Sequence, residues 1–159
     1  MSGKQPKRKP REGLDEYGRI PLHYAAVDSR SDEVARLLAT GVNVNAQDDN
    51  GWSALHFAAQ AVSPVCTTLL LQAGADISLQ DSFGNTALWR AVMSSKGEGS
   101  VIRLLLDAGS NPVELNKHGV SPVSLARTIA NFDIAQYFKD IQDNEGLTHH
   151  SSGTPNGAP

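Results

Sequence analysis

The sequence predicts an all-α solenoid: four helix-turn-helix repeats with β-turn fingers. Three observations carry this reading. Asp15-Glu16-Tyr17-Gly18 recurs without a gap as Asp48-Asp49-Asn50-Gly51 and Asp81-Ser82-Phe83-Gly84, so Gly18, Gly51 and Gly84 lie 33 residues apart. Leu22, Leu55 and Leu88 stand four residues after these glycines, and Ala25, Ala58 and Ala91 seven after. Later in each unit a leucine pair precedes a second glycine: Leu37-Leu38 before Gly41, Leu70-Leu71 before Gly74, Leu105-Leu106 before Gly109. A fourth unit follows at a spacing of 35, beginning Asn116-Lys117-His118-Gly119. In it Val123 and Ala126 hold the leucine and alanine positions, and Tyr137-Phe138 replace the leucine pair.

Each element of the unit has a local reason. Asx-x-x-Gly is turn chemistry: the acid or amide accepts nearby backbone hydrogens, and the glycine takes a positive φ. A first helix follows with an apolar residue and small alanines on one side, as in Leu22, Ala25 and Ala26, which lets helices approach closely. A polar break then carries helix-starting residues such as Ser31 and Asp32. The second helix presents Val34, Leu37 and Leu38 at helical spacing, and Gly41 behind it suits a left-handed C-cap. Such a pair cannot bury its apolar stripe alone, so stacked neighbours must cover it.

The repeats fall at about 15–47, 48–80, 81–115 and 116–141, within one domain over 14–141. The two extra residues of the third repeat belong to the Gly- and Ser-rich stretch Ser94 to Ser100, between its helices. The fourth repeat contains Phe132, Tyr137 and Phe138 and no closing glycine. That composition predicts a C-terminal cap, bulky on one side and polar outside.

At 159 residues, with 40% hydrophobic and 19% charged residues, the chain fits one folded domain rather than a disordered segment. No apolar run approaches the roughly 18 residues needed to cross a bilayer. The N-terminus also lacks the apolar stretch of a secretory signal. A cytoplasmic location is expected, or a nuclear one in a eukaryote if Pro6 to Arg11 acts as an import tag. The single cysteine, Cys66, reads as a small buried hydrophobe in a reducing compartment.

Charge is unevenly spread. Residues 1–13 carry Lys4, Lys7, Arg8, Lys9 and Arg11 against Glu12, and read as a basic disordered tail. The remaining 9 basic and 16 acidic residues give the body a charge of −7. An acidic body attracts basic proteins and repels nucleic acid, which only the tail suits. Residues 142–159, rich in Ser, His, Gly and Pro, read as a second disordered tail.

The motifs resemble the ankyrin repeat. Its Thr-Pro-Leu-His element is similar to Ile20-Pro21-Leu22-His23, Ser53-Ala54-Leu55-His56 and Thr86-Ala87-Leu88-Trp89, and its Gly-Ala-Asp return to Gly74-Ala75-Asp76. The likeness covers about Asp15 to Ile141. It departs where Trp89 replaces the histidine and Arg90 stands in the place of Tyr24 and Phe57. It departs again where Cys66-Thr67 interrupts a usually β-branched pair, so the second helix of that unit is expected to pack less well.

The resemblance implies a structural duty for His23 and His56, bonding neighbouring turns, and a protein-binding role for the whole. No Gly-rich phosphate loop, nucleophile elbow, Cys-x-x-Cys pair or paired acid and base is present, so catalysis, a cofactor and a small-molecule substrate are not expected. His149-His150 alone cannot make a closed metal site.

In this family the turn tips and first helices form an extended concave face, and positions at which the units differ mark the binding surface. The turns contribute Glu16, Tyr17, Arg19, Asp49, Asn50, Trp52, Phe83, Asn85, Lys117 and His118. The first helices contribute Asp28, Gln60, Trp89, Arg90 and Met93. Tyr17, Trp52 and Phe83 are expected to stand in solvent as aromatic anchors; alternatively each ring folds down on the next turn and extends the core. Short free-standing bacterial chains similar to this one include immunity proteins that block a toxin, and an acidic face would suit a basic toxin. An intracellular adaptor with a basic targeting tail is the alternative.

Overall fold

The computed structural model describes residues 11–129 and 133–141. Among these residues, seven α-helices and a 3₁₀ helix follow in order: α1 (Pro21–Val27), α2 (Ser31–Ala39), α3 (Ala54–Gln60), α4 (Pro64–Gln72), α5 (Ala87–Ser94), α6 (Ser100–Asp107), α7 (Pro122–Thr128) and the 3₁₀ helix Ile134–Phe138. The first helices α1, α3, α5 and α7 pack consecutively as one layer, and α2, α4 and α6 as a second. No described helix is long and apolar enough to cross a membrane.

Local chemistry explains the helix ends. Ser53, Thr86 and Ser121 cap α3, α5 and α7 by accepting the amide three residues on, and prolines open α1, α4 and α7. One expected start differs. Ser31 lies inside α2, and the cap position is Arg30, whose side chain makes no capping bond. Asp32 and Glu33 in the first turn face the positive end of the helix dipole instead. Behind the second helices, Gly41, Gly74 and Gly109 take φ of +78°, +86° and +95°.

The core follows the repeat. Leu22, Leu55 and Leu88 are buried with their alanines; on the second helices Val34 and Ile102 are buried at one repeat position and Leu70 and Leu105 at another, where their counterpart Leu37 is half-buried. Cys66 is buried and apolar in its surroundings, as its neighbours suggest. Thr67 beside it is buried with its hydroxyl unpartnered, a desolvation cost that an apolar β-branched residue would avoid.

The end of the array departs from expectation. Tyr137 and Phe138 sit in a single 3₁₀ turn rather than a full second helix. Phe132 lies outside the described residues, as do residues 1–10 and 142–159 of the two tails. The cap nevertheless closes on the third repeat. The Tyr137 ring occupies the space a Cβ on Gly99 would need, 1.9 Å from that position, in the five-residue connection between α5 and α6. The Arg103 guanidinium lies 5.6 Å from the same ring.

Candidate functional site

The four turn tips are built alike. The oxygen Oδ1 of Asp15, Asp48, Asp81 and Asn116 accepts two backbone amides, two and four residues on, at 2.8–3.0 Å. Main-chain bonds then join one tip to the next. Asp49 N donates to Tyr17 O, Ser82 N to Asn50 O and Lys117 N to Phe83 O, each at 2.9 Å. The tips form a stapled row whose geometry is fixed by backbone, not by side-chain packing alone.

The second oxygen of the buried acids takes a guanidinium. Arg19 Nε lies 3.1 Å from Asp48 Oδ2, and Arg90 Nε lies 3.0 Å from Asp81 Oδ2. Both guanidinium groups also stack on rings. Arg19 lies 4.9 Å from the Tyr17 ring and 5.1 Å from Phe57; Arg90 lies 4.3 Å from Trp52 and 5.3 Å from Trp89. Trp52 in turn packs 5.0 Å from Phe57. The result is one ladder of rings and cations running from Tyr17 to Trp89 across three repeats, with the Phe57–Trp52 ring pair at its middle.

Beneath the ladder one histidine ties its own repeat's return segment and the other ties its repeat to the next. His23 Nε2 meets Ala46 O at 2.8 Å, and His56 Nε2 meets Asn85 O at 2.9 Å. Their Nδ1 atoms face the amides of Ile20 and Ser53, so Nδ1 accepts and the proton resides on Nε2. Burial is the main force holding both imidazoles below the usual histidine range. Because the folded value is depressed, this contribution to stability is present above the unfolded value of about 6.5 and is lost as pH falls through the folded one. Melting temperature should therefore drop between pH 7 and pH 5. Thermal melts of a His23→Gln, His56→Gln variant should show a flatter profile over that window; an equally steep one would assign the acid sensitivity to other groups.

The residues expected at the binding surface divide into two sets. Glu16, Tyr17, Asp28, Asp49, Asn50, Gln60, Phe83, Met93, Lys117 and His118 are exposed, with Tyr17 at 50%, Phe83 at 53% and Met93 at 57%. Asp49 is held 2.7 Å from Arg11, a residue otherwise assigned to the basic tail. Phe83 stacks on His118, ring centroids 6.3 Å apart.

The other set sits deeper than expected. Asn85 is only 4% exposed and accepts from Asn116 Nδ2 at 2.8 Å, so it joins repeats three and four from inside. Trp52 is not a solvent anchor, because Arg90 and Phe57 hold its ring down over the next repeat. Arg19 and Arg90 are committed to buried carboxylates, and Trp89 is partly buried beside Arg90 with its Nε1 unpartnered.

A further part of this face was not read from sequence. Trp89 and Met93 on α5 line a cavity of about 530 Å³ together with Val120, Leu125 and Thr128 of the fourth repeat. Leu125 occupies the position of Tyr24, Phe57 and Arg90 in the earlier units, and that alignment was the available signal.

Comparison with known proteins agrees with this architecture. The family model for ankyrin repeats in three copies matches residues 7–81, and that for a single ankyrin repeat matches residues 83–117. The chain is also similar to human transient receptor potential cation channel subfamily A member 1, 33% identical over 114 residues. That match covers 71% of this chain but 10% of the relative, so the chain spans about a tenth of that protein's length. With the stapled Asx-Gly turns, the paired helices and these matches together, the chain belongs to the ankyrin-repeat family.

Proposed function

We propose that this chain is a non-enzymatic protein-binding module whose partner docks on the turn tips and first helices. The observation that carries the reading is the exposure of three large apolar side chains, Tyr17, Phe83 and Met93, on a face made rigid by main-chain staples. Ankyrin repeats are in general modules for protein–protein interaction. A preorganised surface of this kind binds with little ordering cost and little change of shape. The test is to isolate the partner by affinity purification and measure its affinity for Tyr17→Ala, Phe83→Ala and Met93→Ala. Anchors should each cost about 2 kcal/mol or more of binding with the melting temperature nearly unchanged. Unaltered affinity in all three would move the partner to another surface.

The finer reading is an inhibitor or immunity protein against a basic toxin. The charge of −7 outside the first 13 residues supports it, as do exposed Glu16 and Asp28. Asp48 and Asp81 add nothing to it, since both are buried and bound to arginines. A purified partner that is neither basic nor toxic would remove this reading. The alternative is an intracellular adaptor targeted by its basic N-terminus. Deleting residues 1–10 leaves the Arg11–Asp49 pair intact; it should relocate an adaptor while leaving an inhibitor's affinity unchanged.

A further inference from the structure

We propose that the chain self-associates back to back, through a two-fold contact between copies of the groove that runs along α4 and α6. This surface belongs to the layer of second helices, away from the binding face argued above, and does not depend on it.

The groove encloses about 470 Å³ and is lined by Val65, Thr68 and Leu69 of α4 and by Arg103, Leu104 and Asp107 of α6. Its α4 wall comes from an unusual stretch: no Asp, Glu, Lys or Arg occurs between Asp49 and Asp76. The equivalent surface of α2 carries Asp32 and Arg36 where α4 carries Val65 and Leu69. Val65 is 58% exposed, so the apolar wall is presented to solvent rather than folded inward. A solvated back face has no need of such a composition.

The charges at the α6 edge choose the occupant. Arg103 and Asp107 are one helical turn apart, and among the described residues neither forms an ion pair. An isologous contact lays α6 antiparallel on its own copy and α4 on its own copy. Arg103 of each chain then faces Asp107 of the other, on both sides of the axis, while Val65, Leu69 and Leu104 meet between them. A groove with opposite charges spaced in this way is complementary to itself. Arg103 keeps its contact with the Tyr137 ring on its other side.

Sedimentation equilibrium of the full chain from about 1 to about 300 µM should show a monomer–dimer equilibrium. Val65→Glu should abolish it without changing the circular dichroism spectrum. Asp107→Arg, at an exposed position that folding tolerates, should weaken association about 100-fold by setting two arginines against each other on each side of the axis. The double exchange Arg103→Asp, Asp107→Arg restores both pairs and should return affinity to within about threefold of the native chain. A monomer over the whole range overturns the proposal. So does a dimer indifferent to Asp107→Arg. If the monomer's Leu69 and Leu104 methyl resonances shift on titration with a synthetic peptide of residues 142–159, the chain's own C-terminal segment occupies the groove and the two-fold contact is wrong. A monomer unresponsive to that peptide leaves the groove to a different protein, again against the proposal.

Discussion

Gly51→Ala should destabilise the chain by about 3 kcal/mol, whereas Gly41→Ala should cost only about 1 kcal/mol. The two glycines have nearly the same backbone, φ of +79° and +78°, so the intrinsic cost of a side chain in the left-handed region is shared. Their surroundings differ. A Cβ on Gly41 meets nothing within 4 Å, but on Gly51 it would lie 2.9 Å from Asp81 Cα and 3.0 Å from Ser82 N. Those are main-chain atoms of the next tip, and they cannot swing aside as a side chain can. The tip must lift, which breaks the Ser82 N to Asn50 O staple and shifts the acid on which Arg90 rests. Urea denaturation of the two variants measures the difference directly. Equal losses would mean that the tips are not rigidly stapled, and the preorganised face would lose its physical basis.

The same glycines show what was legible in the sequence. Asx-x-x-Gly at a period of 33 specified the turns, and the buried Leu and Ala positions specified which side of each helix faces its neighbour. What one repeat does to the next was harder to read. Tyr17, Trp52 and Phe83 are all aromatic and all lie in turns, yet they occupy two different registers. Tyr17 and Phe83 align with Asn50 and point outward, whereas Trp52 aligns with Arg19 and Asn85 and points to the neighbouring repeat. Register within the turn, rather than residue type, decides exposure. The guanidinium partners could not be read at all. Arg19 reaches the acid of the following turn and Arg90 the acid of its own, and no spacing rule covers both. In the fourth repeat Tyr137 and Phe138, at the leucine-pair position, lie in a 3₁₀ turn rather than a second α-helix. The Tyr137 ring finds its contact across the chain, on Gly99, rather than along a helix.

Arg90→Ala should cost about 3 kcal/mol of stability and should release Trp52. The Asp81 carboxylate is fully buried, so losing its guanidinium leaves Oδ2 without that ion pair, while Oδ1 keeps its two amide bonds. The cation–π contact with Trp52 is lost in the same step, worth about 1 kcal/mol where both groups are partly desolvated. Arg90→Lys should recover less than half of the loss, because an ammonium cannot place two nitrogens on one oxygen and also lie flat on an indole. In a Trp89→Phe background, tryptophan emission reports Trp52 alone, and Arg90→Ala should shift it to longer wavelength as the ring gains water. Unchanged emission with unchanged stability would mean that Arg90 is not committed to Asp81 and Trp52. It would then be available to a partner, as its place among the variable residues of the first helices suggested. The outcome therefore decides whether the middle of this face is contact surface or the scaffold that holds Tyr17, Phe83 and Met93 in position.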